Sequence, residues 1–461
     1  MRSLCVSVLI ASTLTLAGCQ PRPIVDPVAT ATDPAVYTSR RVSAVAVTPD
    51  AVAVELMPLV LSVRHPIEVR RAAMERMIQA DADRFWATTA TNIRRINDWP
   101  MLAMLCERAA DDGRVDFIPA LVQSWARPSI QFIDADRPER DAIVRLRTGQ
   151  TPEDLLWPLF QDAPDDRASQ RVAQAAWLIM VRTHDREALR HQLLRSQPQH
   201  RLHTDLQSAA SAVEHLPRNR EEVLRLGTLC DASSDDLWDR RNLLMRAIEP
   251  EVGRNGVALR HLPTIDHADE ARVQAPHRES LSRLMQRLAS ARQIHRTPPP
   301  GRSSDAAGTL TEHADALGWA DLLVLDAILD AIADRGVAAA LFEQAEQDRL
   351  DTTTEFGGVL TWGSDGSPIA QPFEPVLRRR DEEFIASDAC VRAMHTGLAH
   401  YHFHAQRYDN ADWAGPGGGD ATFADNLHAN CIVFTFIDRN TLNADAYFPG
   451  GLAIDLGCIE R

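Results

Sequence analysis

The spacing of apolar residues changes part-way along the chain. Over residues 56–291 apolar residues recur at helical spacing, as in the run that begins at Pro66. Residues 175–181 are apolar on every side, which indicates a helix buried between layers. Ser233 and Asp236 have the spacing of a capping box before a further helix. The pattern predicts an all-α region, either an irregular solenoid or a helical bundle.

After residue 310 two helices are predicted, at about 320–334 and 337–350, with a break at Gly336. Beyond them the spacing becomes that of strands. Strands are then predicted at 355–362, 369–376, 398–404, 431–437 and 452–459, and helices at 387–395 and 420–428. The glycines of the segment 363–366 indicate a hairpin between the first two strands. This order predicts a mixed α/β sandwich.

Proline-rich segments divide the chain of 461 residues. Residues 19–55 carry spaced prolines without a core of their own, which is typical of a tether. A second proline-rich segment, 296–309, is predicted as a linker. The expected organisation is multidomain, with a helical domain at 56–295 and an α/β domain at 310–461. With 45% hydrophobic residues, both domains can bury a core.

The N-terminus has the features of an export signal. Met1 to Ser3 supply a positive charge, a short apolar segment follows, and Leu16-Ala17-Gly18-Cys19 ends it. These four residues resemble the lipobox of bacterial lipoproteins, which implies cleavage after residue 18 and acylation of Cys19. The alternative is an ordinary secretory signal with an incidental cysteine. Because Gln20 is not the aspartate associated with inner-membrane retention, we expect a lipid-anchored envelope protein, with the outer membrane favoured.

Charge and cysteine usage narrow the possible partners. The net charge is -15 and the chain has no lysine, which argues against a basic surface for nucleic acid. Apart from Cys5 and Cys19, the cysteines are odd in number and widely spaced: Cys106, Cys230, Cys390, Cys431 and Cys458. This spacing predicts neither a disulfide framework nor a zinc ribbon. Buried thiols are expected, and a link between Cys431 and Cys458 is the alternative.

Candidate metal ligands cluster in the predicted α/β domain. His402 and His404 occupy alternate positions of one strand, so their imidazoles project from the same face. Asp420 follows a glycine-rich turn at the start of a predicted helix, where a carboxylate can complete a three-ligand site. Glu355, at the start of an earlier strand, then remains as a general base. The residue types predict a catalytic zinc with an open coordination position.

These residues resemble the JAMM (JAB/MPN) zinc isopeptidases and peptidases. Their pattern is a glutamate on a first strand, His-x-His at a strand end, and Ser-x-x-Asp opening a helix. Here Glu355-Phe356-Gly357-Gly358, His402-Phe403-His404 and Gly417-Gly418-Gly419-Asp420 take the three places. The resemblance covers about residues 320–461. It implies hydrolysis of an amide or isopeptide bond in a protein or peptide substrate, with Glu355 accepting the proton of the attacking water.

Two features depart from that family. The segment between His404 and Asp420 is about five residues longer than usual, and Gly417 replaces the serine that helps hold the oxyanion. A hydrolase would then need backbone N-H groups of Gly417, Gly418 and Gly419 as oxyanion donors. The alternative is a lipid-anchored scaffold whose JAMM-like domain is catalytically silent. In the helical region, residues 65–73 resemble one helix of a HEAT repeat, which would suit either function by docking a partner.

Some residues compete for places in the site. His400 shares the strand face of His402 and His404, and it could be a substitute ligand or a residue that supports one. Asp409, Asp412 and Asp425 compete with Asp420 for the carboxylate position. We favour Asp420 because the glycines before it allow the backbone to approach a metal. The same turn lacks the lysine of a phosphate-binding loop.

Overall fold

The computed structural model describes residues 56–129, 132–247, 256–294, 307–376 and 384–461. The predicted signal peptide, the tether, Cys19 and most of the predicted linker lie outside these residues. Within them, no helix combines the length and apolar character needed to cross a membrane. The described chain is helical up to residue 350 and then forms a six-stranded mixed sheet, so the predicted order of an all-α region followed by an α/β region is confirmed.

The chain divides into two compact units, and the boundary in sequence lies between Ala120 and Leu121. In the first unit, residues 56–61 are helical, and two helices and the start of a third follow. These are α1 (Ile67–Asn92), α2 (Trp99–Asp111) and α3 (Ile118–Trp125). Their core includes Trp86 and Phe117, whose ring centroids lie 4.9 Å apart in an edge-to-face arrangement.

The second unit begins with a further series of helices. They are α4 (Pro138–Leu146), α5 (Pro152–Gln161), α6 (Arg167–Thr183), α7 (Arg186–Arg195), α8 (Arg201–Ala212), α9 (Arg220–Ala232), α10 (Asp235–Ala247), α11 (Leu262–His267), α12 (Glu270–Gln274) and α13 (His277–Leu288). The predicted buried helix is α6, in which residues 175–180 are all buried. The capping residue of α10 is Ser234, not Ser233, because the Ser234 hydroxyl accepts from Leu237 N.

The helices before the sheet are α14 (Leu310–His313), α15 (Trp319–Ala333) and α16 (Arg335–Leu350). The predicted break at Gly336 falls two residues earlier, at Asp334. The Asp334 carboxylate caps α16 by accepting from Gly336 N and Val337 N, so the glycine lies in the first turn of the helix. Two further helices lie between strands of the sheet in chain order, α17 (Asp388–Thr396) and α18 (Gly418–Leu427).

The six strands lie in the order β2-β1-β3-β4-β5-β6. They are β1 (Gly357–Trp362), β2 (Pro368–Phe373), β3 (Ala399–His404), β4 (Cys431–Asp438), β5 (Thr441–Phe448) and β6 (Leu452–Glu460). The predicted hairpin joins β1 and β2, and Gly366 has a φ of +80° in its turn. Only β3 and β4 pair in parallel, because α18 connects them as a crossover.

The sequence pattern does not predict strand β5. Its sequence places Asn443 and Asp445 among apolar residues, and all eight of its positions are buried. A strand that is covered on both faces shows no alternation of apolar and polar residues, so its period is hidden. Opposite it, Leu456 of β6 is an extra residue in a bulge, after which Asp445 pairs directly with Asp455.

Two apolar cores cover the faces of the sheet. On one face, side chains such as Tyr401 and Phe403 pack with α13, α15 and α16. On the other face, Val359, Val433 and Tyr447 pack with α17 and α18. Alternate residues of β3 therefore enter different environments, and the histidines all lie on the face of α17 and α18.

The second unit runs across the predicted linker, because the helical region makes buried polar contacts with the sheet. The Arg260 guanidinium donates to Asn430 Oδ1 at 2.7 Å, and Asn430 Nδ2 donates back to the Arg260 carbonyl at 3.1 Å. At edge strand β6, Cys458 N donates to Arg292 O at 2.9 Å, and Gly308 is bonded to β6 as well. These bonds tie the backbone just before the predicted linker, and Gly308 near the linker's end, to the sheet.

The cysteines that follow the predicted lipidation site are free thiols. Cys106, Cys390 and Cys431 are buried, and Cys230 and Cys458 are half-buried. Cys431 lies on β4 and Cys458 on β6, with β5 between them. The expectation of small buried thiols is thus confirmed for these three residues, and the alternative link between Cys431 and Cys458 is not formed.

Candidate metal centre

Strand β3 places the histidines because its two faces meet different surroundings. Tyr401 and Phe403 anchor one face in the larger core, where the Tyr401 hydroxyl donates to Gln344 Oε1 at 2.6 Å. His402 and His404 therefore project from the opposite face. The His402 side chain is 3% exposed and that of His404 is 17% exposed, so the pair runs from the interior towards solvent.

Glu355 reaches the same region from the end of α16. Phe356 N donates to the buried Asp348 carboxylate at 2.6 Å, which fixes the chain just after Glu355. Gly357 then pairs with His402 across β1 and β3. A Cβ at Gly357 would lie only 2.7 Å from the Tyr401 carbonyl oxygen, so the absence of a side chain there allows the close approach of the two strands.

Asp420 enters from the first turn of α18. Its Oδ2 accepts from Gly417 N at 2.7 Å, an arrangement that caps the helix. A carboxylate at this end also interacts favourably with the positive end of the helix dipole. Asp420 therefore caps its own helix with the oxygen that lies nearer His404, while its other oxygen lies beside His402.

The separations of these atoms suit a common ion. Asp420 Oδ1 lies 3.3 Å from His402 Nε2, and Asp420 Oδ2 lies 3.7 Å from His404 Nε2. Ligand atoms about 2.0–2.2 Å from one tetrahedral zinc lie about 3.3–3.6 Å from each other. Ligand atoms of Glu355, His402 and His404 also lie within 4.8 Å of one another. Glu355, His402 and His404 thus form a group that could hold a metal ion.

His402 Nε2 is buried and makes no hydrogen bond among the described residues, although it forms an ion pair with Asp420 Oδ1 at 3.3 Å. A bound ion could satisfy such a ring nitrogen. The donor set of imidazole nitrogens and carboxylate oxygens is one that zinc accepts.

Neighbouring groups orient both imidazoles. His404 Nδ1 lies 2.7 Å from the Trp413 carbonyl oxygen. Because a carbonyl can only accept, Nδ1 carries the proton, and the lone pair of Nε2 in the neutral ring is the one that a metal would bind. His402 Nδ1 lies 3.4 Å from the Tyr447 hydroxyl. Each ring therefore turns Nε2 towards Asp420. Neither partner was predicted, because one is a backbone group and the other lies on the unpredicted strand β5.

The electrostatics of the cluster favour positive charge. Burial opposes protonation of His402, but the carboxylates of Asp420 and Glu355 outweigh it and raise the pKa of His402 to about 9. For Asp420, burial acts to raise the pKa, and the two histidines hold it below its ordinary value all the same. A cation at this position would interact with the same two carboxylates.

The competing carboxylates lie elsewhere. Asp409 and Asp412 have side chains that are 90% and 91% exposed, close to Arg407. Asp425 accepts from Gly450 N at 2.7 Å on an exposed part of the surface. Among these candidates, the structure thus places Asp420 beside the histidines.

His400 lies deeper on the same strand face. Its ring stacks beside that of His402, with centroids 6.0 Å apart, and it also contacts the rings of Phe384 and Phe423. Burial and the neighbouring His402 lower the pKa of His400 to about 3, so it is neutral. These contacts make His400 part of the packing behind the candidate ligands.

The three predicted oxyanion donors differ in their surroundings. Gly417 N already donates to Asp420 Oδ2. Gly418 and Gly419 are exposed and begin α18, where amide groups lack partners within the helix. A Cβ at Gly417 would lie 3.5 Å from Asp420 Oδ2, an ordinary contact distance. The site therefore has room for the serine of the JAMM pattern.

A buried pair of carboxyl groups holds the loop between His404 and Asp420. Asp445 and Asp455 are each 1% exposed and directly opposite on β5 and β6. Asp445 Oδ2 accepts from Gly415 N at 2.9 Å, so it fastens the long loop to the sheet. Burial and the adjacent Asp455 raise the pKa of Asp445 to about 8. Strand β5, which the sequence did not predict, thus holds the loop that leads to Asp420.

No family model, no curated protein and no solved structure matches the chain.

The candidate ligands predict a simple pattern of zinc loss. We expect His402→Ala, His404→Ala and Asp420→Ala each to weaken zinc binding more than about 100-fold, since even residues that only orient ligands cost 10–100-fold. Zinc affinity measured by competition with a chelator tests this. His400→Ala is the matched control, because it removes an imidazole from the same strand face. Zinc loss in His400→Ala with retention in His402→Ala would contradict the assignment.

The Asp445–Asp455 pair predicts a pH-dependent stability. With its pKa raised to about 8, Asp445 stays protonated in the folded protein while it ionises near pH 4 when unfolded, so its contribution to stability falls as pH rises towards 8. Asp445→Asn keeps an acceptor for Gly415 N and removes this titration. We expect the stability of Asp445→Asn relative to wild type to increase from pH 5 to pH 8 in urea denaturation.

The exposed Asp412→Asn is the control, and its stability relative to wild type should stay constant over the same pH range. Parallel curves for Asp445→Asn and wild type would show that no proton is held at the pair.

Proposed function

We propose that the protein is a zinc-dependent hydrolase that cleaves a peptide or isopeptide bond. The observation that carries this proposal is the grouping of ligand atoms of Glu355, His402 and His404 within 4.8 Å of one another, with Asp420 3.3 Å and 3.7 Å from the two imidazoles and His404 partly exposed. Nitrogen and oxygen ligands with one side towards solvent are typical of catalytic zinc sites, whereas structural zinc sites are closed. The JAMM-like order of the same residues supports the choice of an amide bond.

A bound zinc would supply a Lewis acid and lower the pKa of water to about 7. His402, His404 and Asp420 would hold it. Glu355 would accept a proton from the attacking water and pass it to the leaving amine. The amides of Gly418 and Gly419, at the positive end of α18, are the chain's own donors for developing negative charge.

A catalytically silent binding protein is the second candidate. It is favoured by the engagement of Gly417 N with Asp420 and by the absence of a hydroxyl at residue 417. Loss of one oxyanion donor costs about 3–4 kcal/mol of transition-state stabilisation in other hydrolases. In either function, the helices before the sheet, with their HEAT-like segment, would dock a protein partner or substrate.

We propose further that the chain is an acylated lipoprotein of the cell envelope that faces the periplasm or the cell surface, with the outer membrane favoured. Leu16-Ala17-Gly18-Cys19 after a short apolar segment supports this. The residues that follow, up to the first described helix, are long enough to separate an anchor from the folded units. Two or three acyl chains on Cys19 would give stable anchoring, which one chain does not.

The roles of Glu355 and Gly417 separate the two candidate functions. We expect wild type to cleave amide substrates from a peptide and isopeptide library, and Glu355→Gln to lose this activity while keeping zinc. Gly417→Ser should change the rate only modestly if backbone amides already serve the oxyanion. Activity that appears only in Gly417→Ser would instead identify the natural protein as a silent binding module. Loss of zinc in Glu355→Gln would make Glu355 a ligand.

Lipidation can be tested in the cell. Cys19→Ala should leave an unprocessed or soluble protein, whereas wild type should stay in membranes after carbonate washing. Cys5→Ala, which alters a cysteine inside the signal, is the matched control and should still be lipidated. Mass spectrometry of the mature N-terminus decides the matter, and an unmodified terminus at a residue other than Cys19 would exclude this anchor.

A further inference from the structure

Helix α18, which carries Asp420, has little core to hold it in place. Of its 10 residues, Ala424 alone is buried, and Phe423 and Leu427 are half-buried against the sheet. A short helix gains most of its stability from the packing of its apolar face. With so narrow an apolar face, the position of α18 depends strongly on polar contacts, which are those at its two ends and the hydrogen bond from Gly450 N to Asp425.

The C-terminal end of α18 is held by Arg225 of α9. The Arg225 guanidinium, in a residue only 2% exposed, donates to His428 O at 2.7 Å and to Leu427 O at 3.3 Å. The last carbonyl groups of a helix have no partners within it and carry the negative end of the dipole. A buried guanidinium with two donors is therefore well suited to fix this end.

Helix α9 also contacts His428, the residue that follows α18. His428 has a left-handed backbone conformation, with a φ of 47°, and its Nδ1 lies 3.8 Å from Glu222 Oε1. Glu222 lies one turn before Arg225 on α9 and is itself held by His215, at 3.3 Å. One turn after Arg225, the Thr228 hydroxyl lies 2.9 Å from His395 Nδ1 of α17. Successive turns of α9 thus contact both helices on the face of the candidate metal centre.

We propose that Arg225 is a positioning residue for the metal ligand Asp420. By fixing the C-terminal end of α18, it sets the position of the helix along its axis and so the distance between Asp420 and His402. The helical region then belongs to the metal centre and does more than dock a partner. This inference rests on the metal site of the proposed function, but it does not require that the site be catalytic.

The test uses full-length protein and Zn²⁺ alone as the probe. Arg225→Met keeps much of the apolar volume and removes both donors, and we expect zinc affinity to fall 10–100-fold, the range for residues that orient metal ligands. Arg225→Lys, which keeps the charge but not the fork of donors, should lose less. Chelator competition measures the affinity, and urea denaturation of the zinc-free protein measures stability separately.

Arg137→Met is the matched control. Arg137 is also buried and also donates to two backbone carbonyl oxygens, those of Arg127 and Ser124, each at 3.0 Å. Arg137 and its acceptors lie at the end of α3 and in the segment before α4, away in sequence from every candidate ligand, and Arg137 also pairs with the buried Glu139. Arg137→Met should lower stability and leave the zinc affinity of the folded protein unchanged. An equal loss of affinity in both variants would mean that any destabilising change weakens the site, and would overturn the proposal.

A double-mutant cycle with Asp420→Ala identifies the ligand through which Arg225 acts. If Arg225 acts by placing Asp420, then Arg225→Met should weaken zinc binding 10–100-fold in wild type but less than about 3-fold when Asp420 is already alanine. Additive effects would overturn the proposal. If Arg225→Met fails to fold, Arg225→Lys takes its place in the same cycle.

The outcomes separate this inference from the proposed function. Wild type that binds no zinc would defeat both. Wild type that binds zinc as tightly as folded Arg225→Met would defeat the positioning role alone. Zinc binding that depends on Arg225 in a protein that cleaves no amide substrate would defeat the hydrolase and leave the positioning role intact.

Discussion

The position of the Asp420 carboxylate is the constraint on which the candidate centre depends. One oxygen caps α18 through Gly417 N, and the other lies 3.3 Å from His402 Nε2. Burial disfavours the charged form of this carboxylate, and the two imidazoles outweigh that effect and hold its pKa below the ordinary value. The Asp420 carboxylate therefore connects the start of α18, the long loop before it and strand β3. Glu355 adds a second negative charge, which makes a divalent cation a favourable occupant.

The sheet supplies the rigid part of this arrangement and the loops supply the adjustable part. His402 is fixed by a strand whose other face is anchored by two aromatic side chains in the larger core. Asp420 arrives through a loop that depends on Asp445 beneath it and on the Trp413 carbonyl, which also orients His404. This long loop thus brings a backbone acceptor to the second histidine.

The sequence allowed the local features of this site to be predicted, because they depend on short spacing. His402 and His404 share a face as a result of strand geometry, and Asp420 opens a helix after a glycine-rich turn, as both patterns indicated. Strand β5 escaped prediction because Asn443 and Asp445 interrupt its apolar residues, and their partners come from a distant loop and a neighbouring strand. Arg225 could not be connected with the site at all, since its acceptor His428 lies 203 positions later. The choice between Glu355 as base and as ligand depends on an ion, which sequence spacing does not determine.

The treatment of the two sheet edges has a consequence for behaviour at high concentration. At one edge, β2 contains Pro368 and Pro372, which have no N-H group to offer a foreign strand. At the other edge, Arg292 and Gly308 already occupy backbone groups of β6. Edge strands with free donors and acceptors are the usual route by which sheets of separate molecules join and aggregate. Along its described strands, this sheet is protected from foreign strands at both edges. Crowding of many copies need therefore not lead to β-pairing between molecules.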